Sequence, residues 1–245
     1  MSRLVIFSLC FTFIDLVRCQ NVLNFQTCKQ SDPNRDECLK FAIQDAFKIL
    51  ENGVPKFNLP PLQPLKLEQW TITAGKGVNF IQKLSNIEMI NHAKSTIRKV
   101  ESEISDNELS LKIESTNPVI LFKFDYVFEN AEIYGESVSG KGRVVMEHDN
   151  YTETLSLTGK VIDKDGNRYL SLTQVDVHYI FDDTIFKFET GDAEMDKKLN
   201  RIFNQNKEEI LENLYEKYLE IDNYLYTNVA SAIFSLIPYD QLFPK

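Results

Sequence analysis

From Asp192 to Phe243 apolar side chains recur, nearly throughout at steps of three or four: Met195, Leu199, Ile202, Phe203, Ile210, Leu214, Tyr218, Ile221, Leu225, Val229, Ile233 and Ile237. That spacing places them on one face of a helix. Lys197, Lys198, Lys207, Glu208, Glu212 and Glu216 fill the other face, and neither Pro nor Gly intervenes before Pro238. The pattern predicts one unbroken helix, roughly 65 Å long at ~1.5 Å per residue. No strict heptad marks it as a coiled coil, so some other part of the chain must cover its apolar face.

Between Lys66 and Thr190 the period changes to two. Ile120, Phe122, Phe124, Tyr126 and Phe128 alternate with Lys123, Asp125 and Glu129, which predicts a half-buried strand with an aromatic face. Leu155, Leu157 and Val161 alternate with polar residues up to Asp165-Gly166, a tight-hairpin signal. The parity of the following strand slips between Leu172 and Val175, which predicts a β-bulge near Thr173. Ile185, Phe186 and Phe188 close the sheet region. Ile97, Val100 and Ile104 fit a helix or a strand, and the neighbouring hairpin pattern favours strands.

Ahead of the sheet, Cys38, Leu39, Ala42, Ile43, Phe47 and Leu50 share a helical face, with Asn52-Gly53 as the stop. Pro55, Pro60, Pro61 and Pro64 then forbid helix and interior strand. That stretch should run extended over the surface with its leucines packed inward. The order is short helix, proline-rich strap, long antiparallel meander and long helix. The class is α+β, a sheet curled around its C-terminal helix, with no linker composition that would divide it.

Of the 245 residues 43% are apolar, and the formal net charge is −9 with no long basic run, which excludes nucleic-acid binding. Arg3, the apolar run Leu4–Ile14, and Val17 and Cys19 before Gln20 read as a signal peptide over residues 1–19, leaving 20–245 as one domain. The run is too short for stable membrane insertion. Cys28 and Cys38 are then the cysteines that remain in an oxidising compartment, and are expected to form a disulfide. Asn150-Tyr151-Thr152 is the one glycosylation sequon, expected on a hairpin tip between two strands.

Catalytic chemistry is thin. His92, His148 and His178 fall in strand-like runs without metal-ligand spacing and are expected at the surface or a sheet edge. Gly135-Glu136-Ser137-Val138-Ser139 misses the nucleophile-elbow pattern at its last position. Asp163, Asp165 and Asn167 start like a calcium loop, but Arg168 and Gln174 occupy the required Gly and Glu positions. The expectation is a protein that is not an enzyme and has no metal and no cofactor.

Several stretches, in order, carry a resemblance. Cys28-Lys29-Gln30-Ser31-Asp32-Pro33-Asn34 with Glu37-Cys38-Leu39, Gly53-Val54-Pro55, Leu59-Pro60-Pro61-Leu62-Gln63-Pro64-Leu65 and Leu84-Ser85-Asn86 resemble the insect takeout and haemolymph juvenile-hormone-binding proteins. Phe203-Asn204-Gln205-Asn206 and the ending Ile237-Pro238-Tyr239-Asp240-Gln241-Leu242-Phe243-Pro244 resemble the takeout branch, as does the absence of any cysteine after Cys38. Lys207 stands where the family often has Trp. The resemblance implies a tubular lipid-binding fold enclosing an apolar tunnel. It also implies a secreted carrier whose partner is a small hydrophobic ligand such as a terpenoid or fatty acyl lipid. On that basis Phe122, Phe124, Tyr126, Phe128, Leu157, Val177, Leu214, Tyr218, Leu225 and Val229 are the expected cavity-lining residues. The alternative is a secreted protein with a solid core that acts through a surface partner; no receptor is legible in the chain.

Overall fold

The computed structural model describes residues 23–74 and 78–245. The expected signal segment, 1–19, lies outside them. The first helix, α1 (Arg35–Ile49), ends at Leu50, and Gly53 turns the chain with φ +69°, where an added Cβ would lie 2.7 Å from the Pro61 nitrogen. The proline strap then folds back along the helix end: the Leu62 and Gln63 amides donate to the Leu50 and Glu51 carbonyls at 3.0 Å. Its leucines Leu59, Leu62 and Leu65 are buried as the sequence predicts. Contrary to the expectation of an extended strap, Pro55–Phe57 forms one short helical turn, because proline is tolerated at the first position of a helix.

The sheet follows as β1 (Leu65–Ile72), β2 (Gln82–Ile90), β3 (Thr96–Ile104), β4 (Glu108–Phe128), a small β5 (Glu132–Ile133) and β6 (Glu136–Ser137) hairpin, β7 (Gly140–Lys164), β8 (Asn167–Ile180) and β9 (Asp183–Glu189). The Ile97 stretch is therefore strand. The nucleophile-like sequence falls on the β5–β6 hairpin, and Asp163, Asp165 and Asn167 belong to the β7–β8 turn, where Asp165 and Gly166 both take positive φ. The bulge lies where the sequence places it: Thr158 pairs with Gln174 and Gly159 with Leu172, which leaves Thr173 unpaired.

Two strands dominate. β4 has 21 residues and β7 has 25, several times the usual strand length, and they pair with each other along most of their course. Each changes its other neighbour midway. β4 pairs with β3 over Thr96–Ile104 and with β2 towards its C-terminal end. β7 pairs with β9 up to Asp149 and with β8 from Thr152 onward. Asn150 is thus not on a hairpin tip. It sits inside β7 at this switch of partners, exposed, with φ +51° and its amide donating to Asp182 at 2.7 Å.

The predicted single helix is divided. α2 (Ala193–Gln205) ends at Asn206, which has φ −122° and whose side chain donates to the Ile202 carbonyl at 2.7 Å. α3 (Lys207–Leu236) follows, then a single turn, α4 (Tyr239–Leu242), beyond Pro238. Each long piece seals a sheet edge. On α2, Asn200 and Asn204, one turn apart, accept from the Phe188 and Phe186 amides of β9 at 2.8 Å each. On α3, Asn223 accepts from the Val177 amide at 2.8 Å, and the Tyr215 hydroxyl accepts from Tyr179 N and donates to Tyr179 O, both at 3.2 Å, on β8. Edge backbone groups that water would otherwise satisfy are closed by helix side chains. Lys207 pairs with Asp183 and pins the start of α3 to β9.

Candidate functional site

The curled sheet and its helices enclose two apolar regions of different character. At the end built by β1, β2, β9 and α2 the interior is solid. Tyr126 and Phe128 lie 4.3 Å apart between ring centroids, Phe188 and Phe203 4.5 Å, and Phe80 and Phe128 5.1 Å. The Tyr126 hydroxyl finds no partner among the described residues, and burial pushes its pKa up to about 12.

At the other end α1, the C-terminal half of α3, α4 and the outer stretches of β4 and β7 leave a cavity of about 170 Å³. Its wall is apolar almost throughout: Phe47 and Leu50 from α1, Leu62 from the strap, Leu111 and Ile113 from β4, Leu155 and Leu157 from β7, Val229, Ile233 and Phe234 from α3, and Phe243. Small residues hold the space open, since Ala42 and Ala46 on α1 share this wall with Ala230 on α3. The volume is roughly ten times what one water molecule requires. A disulfide between Cys28 and Cys38, with Cα atoms 5.9 Å apart, ties the N-terminal segment to the start of α1 beside this end. The chain terminus closes it from below: the Tyr239 hydroxyl donates to the Ser105 carbonyl at 2.8 Å, and the Gln30 amide to Pro244 at 2.8 Å.

A buried polar belt separates the two regions. Tyr226 on α3 donates to Glu153 on β7 at 2.6 Å, and its hydroxyl lies 3.2 Å from His92 Nδ1. Burial raises the Glu153 pKa to about 7, despite the Tyr226 hydrogen bond that opposes the rise, and lowers that of His92 to about 4. One helical turn before Tyr226 lies Asp222, 1% exposed, with neither carboxyl oxygen bonded among the described residues. Burial, reinforced by the nearby Glu153 charge, drives its pKa well above the usual carboxylate range. Asp222, Tyr179 and Tyr218 border a second void of about 20 Å³, room for roughly one water.

The histidines depart from the surface placement expected of them. His178 is exposed, but His92 and His148 are buried, His92 in the belt and His148 against Thr184 with Nδ1 2.6 Å from its hydroxyl. Both stay neutral, because burial lowers their pKa to about 4. Among the described residues no His, Cys, Asp or Glu cluster is arranged to hold a metal, and no helix is long and apolar enough to cross a membrane.

The structure divides the residues proposed for the lining. Leu157 and Val229 face the large cavity. Phe122, Phe124 and Tyr218 face the small void. Tyr126 and Phe128 belong to the aromatic cluster, while Val177, Leu214 and Leu225 are buried in the same core. Sequence reasoning missed the wall supplied by α1, the strap and Phe234. The available signal was Ala42, Ala46 and Ala230, alanines on apolar helix faces that fill little of the space before them.

This architecture has relatives among known proteins. A family model described as Haemolymph juvenile hormone binding protein (JHBP) matches residues 6–244. The chain is 21% identical over 234 residues to the Circadian clock-controlled protein daywake of Drosophila melanogaster, covering 89% of this chain and 86% of that one. The crystal structure of Takeout 1 from Epiphyas postvittana superposes with a TM-score of 0.74 at 15% identity, covering 90% of this chain and all of that one, and so shares the fold.

Proposed function

The chain belongs to the haemolymph juvenile hormone binding protein family, and from that premise we propose that it is a secreted carrier of a small hydrophobic ligand rather than a catalyst. Residues 1–19 would be its removed signal peptide and 20–245 one ligand-binding domain. The observation that carries the reading is the apolar cavity of about 170 Å³ between α1 and the C-terminal half of α3. A terpenoid or fatty acyl chain seated there would gain about 25 cal/mol for each Å² removed from water. The disulfide-tied end and the anchored terminus supply a stiff wall, which limits the ordering cost of binding.

A thermal-shift experiment on delipidated protein tests it. A ligand at a hundred times its dissociation constant stabilises the folded state by about 2.7 kcal/mol, which is roughly 5–10 °C for a chain of this size. Terpenoid and acyl ligands should produce that shift and a polar compound of similar size should not. Ala230→Phe, which places a ring in the cavity, should abolish the response, while Phe124→Trp should leave most of it, because Phe124 faces the small void. If a broad apolar panel gives no shift and solvent extraction of purified protein releases no lipid, the solid-core alternative replaces the carrier.

A further inference from the structure

We propose that His92 and Tyr226 form a polar anchor at the inner wall of the cavity, selecting a ligand that bears one oxygen function, hydroxyl or carbonyl, on an otherwise hydrocarbon skeleton. The inference rests on the carrier reading and names the ligand class for that site. Among the described residues, and apart from the exposed Gln26, His92 and Tyr226 are the only polar side chains on a wall otherwise built of aliphatic and aromatic groups. They are 2% and 5% exposed, so water from outside does not satisfy them.

Their bonding is incomplete in a directed way. Tyr226 is engaged with Glu153 at 2.6 Å and with His92 Nδ1 at 3.2 Å. His92 Nε2 holds no hydrogen bond among the described residues. A neutral imidazole carries one N–H and one lone pair, and the bond at one nitrogen decides which of these the other presents. When Tyr226 donates to Glu153, Nδ1–H donates to the tyrosine oxygen and Nε2 offers a lone pair, which suits a ligand hydroxyl. When a protonated Glu153 donates to Tyr226, the tyrosine O–H turns to Nδ1 and Nε2 carries the proton, which suits a carbonyl. The Glu153–Tyr226–His92 chain can therefore adapt to either group with no net charge entering the cavity.

The sign of a simple affinity difference decides the matter. In a purely apolar cavity an oxygen function is a burden, since it leaves water without a new partner. With an anchor present it gains a partner and satisfies His92 as well. Displacement of a fluorescent apolar probe, N-phenyl-naphthylamine, would be measured with decane, decanol and methyl nonanoate. In the wild-type protein decanol and the ester should bind about three-fold or more tighter than decane. In His92→Phe, which keeps a ring against Phe47 (5.1 Å between centroids), the order should reverse, the oxygenated compounds losing affinity relative to decane. If decane binds wild type as tightly as the oxygenated compounds or tighter, the anchor is refuted and the carrier reading stands. The anchor is refuted in the same way if His92→Phe binds decane normally and keeps the wild-type preference. If the probe does not bind wild type at all, the carrier reading fails and the anchor with it.

Discussion

The two ends of the tube are built on the same pair of strands yet pack in opposite ways. At the α2 end, β4 and β7 present Tyr126, Phe128 and Val144, with Phe188 of β9 beside them, to a helix carrying Leu199, Ile202 and Phe203, and the large side chains meet and fill the interior. At the α1 end, Leu111, Ile113, Leu155 and Leu157 of the same strands face two helices whose nearest positions include Ala42, Ala46 and Ala230, and space remains. Both walls read as apolar stripes. The difference lies in what stands opposite, so hollowness is a property of facing pairs and not of either stripe. The polar belt of Glu153, Tyr226, His92 and Asp222 lies between the two.

The strongest way to break this comparison is to delete a ring at each end. Phe203→Ala should cost about 3–5 kcal/mol, because its contacts on every side are lost and a void replaces them. Phe234→Ala borders an existing void, forfeits fewer contacts, and should cost at least ~1 kcal/mol less. Chemical denaturation of the two variants measures both, and equal losses would mean that the ends are packed alike.

The belt comes next in magnitude. The carboxyl of Glu153 titrates near 4.5 when unfolded and at about 7 when folded. Between those values the folded chain holds the extra proton, so stability falls as pH rises. The penalty is absent below about 4.5 and complete above about 7, where it reaches roughly 3 kcal/mol at ~1.36 kcal/mol per unit. Glu153→Gln keeps an acceptor for Tyr226 and removes the titration. It should therefore gain on wild type by that amount between pH 4.5 and 8. His92 and His148 favour the folded state as pH rises from about 4 to 6.5, but they are present in both proteins and cancel in the difference. Melting curves across this range check the slope, and parallel curves would refute the buried acid.

Overpacking sharpens the contrast with a smaller effect. Leu199→Phe adds volume to the filled end and should cost about 1–3 kcal/mol. Ala230→Phe adds more volume at the hollow end and should be neutral or stabilising when no ligand is bound. Destabilisation by both would remove the asymmetry.

The smallest effect concerns the border on the outer surface. We expect a glycan on Asn150 when the chain passes through a eukaryotic secretory host, because the side chain is exposed where β7 changes partners. Thr152→Val removes the sequon but keeps the branched shape in the strand. It should abolish the glycosidase-induced mobility shift and change stability by no more than about 0.5 kcal/mol. A fully unmodified Asn150 peptide would show that the site is skipped.

Much of the fold was legible because it is local. Period-two alternation drew β4, Asp165-Gly166 marked the β7–β8 turn, and the parity slip at Thr173 located the bulge, since each of these is written within a few residues of the backbone it governs. The α1 stop at Gly53 and the buried strap leucines followed from the same local chemistry. The cysteine pair was readable from its isolation in the chain. What the tertiary structure alone decided is whatever depends on a second surface. The long apolar stripe carries no Pro or Gly, only one seven-residue step from Phe203 to Ile210, and the helix parts there at Asn206, where α2 seats its asparagines on the edge of β9 and α3 seats Asn223 and Tyr215 on that of β8. His92 and His148 lie in polar-looking runs and are buried because strands and helices distant in sequence close over them. The cavity is the clearest case: it is the difference between the spacing of two walls and the side chains that reach into it, and one chain's order of residues states the second quantity but not the first.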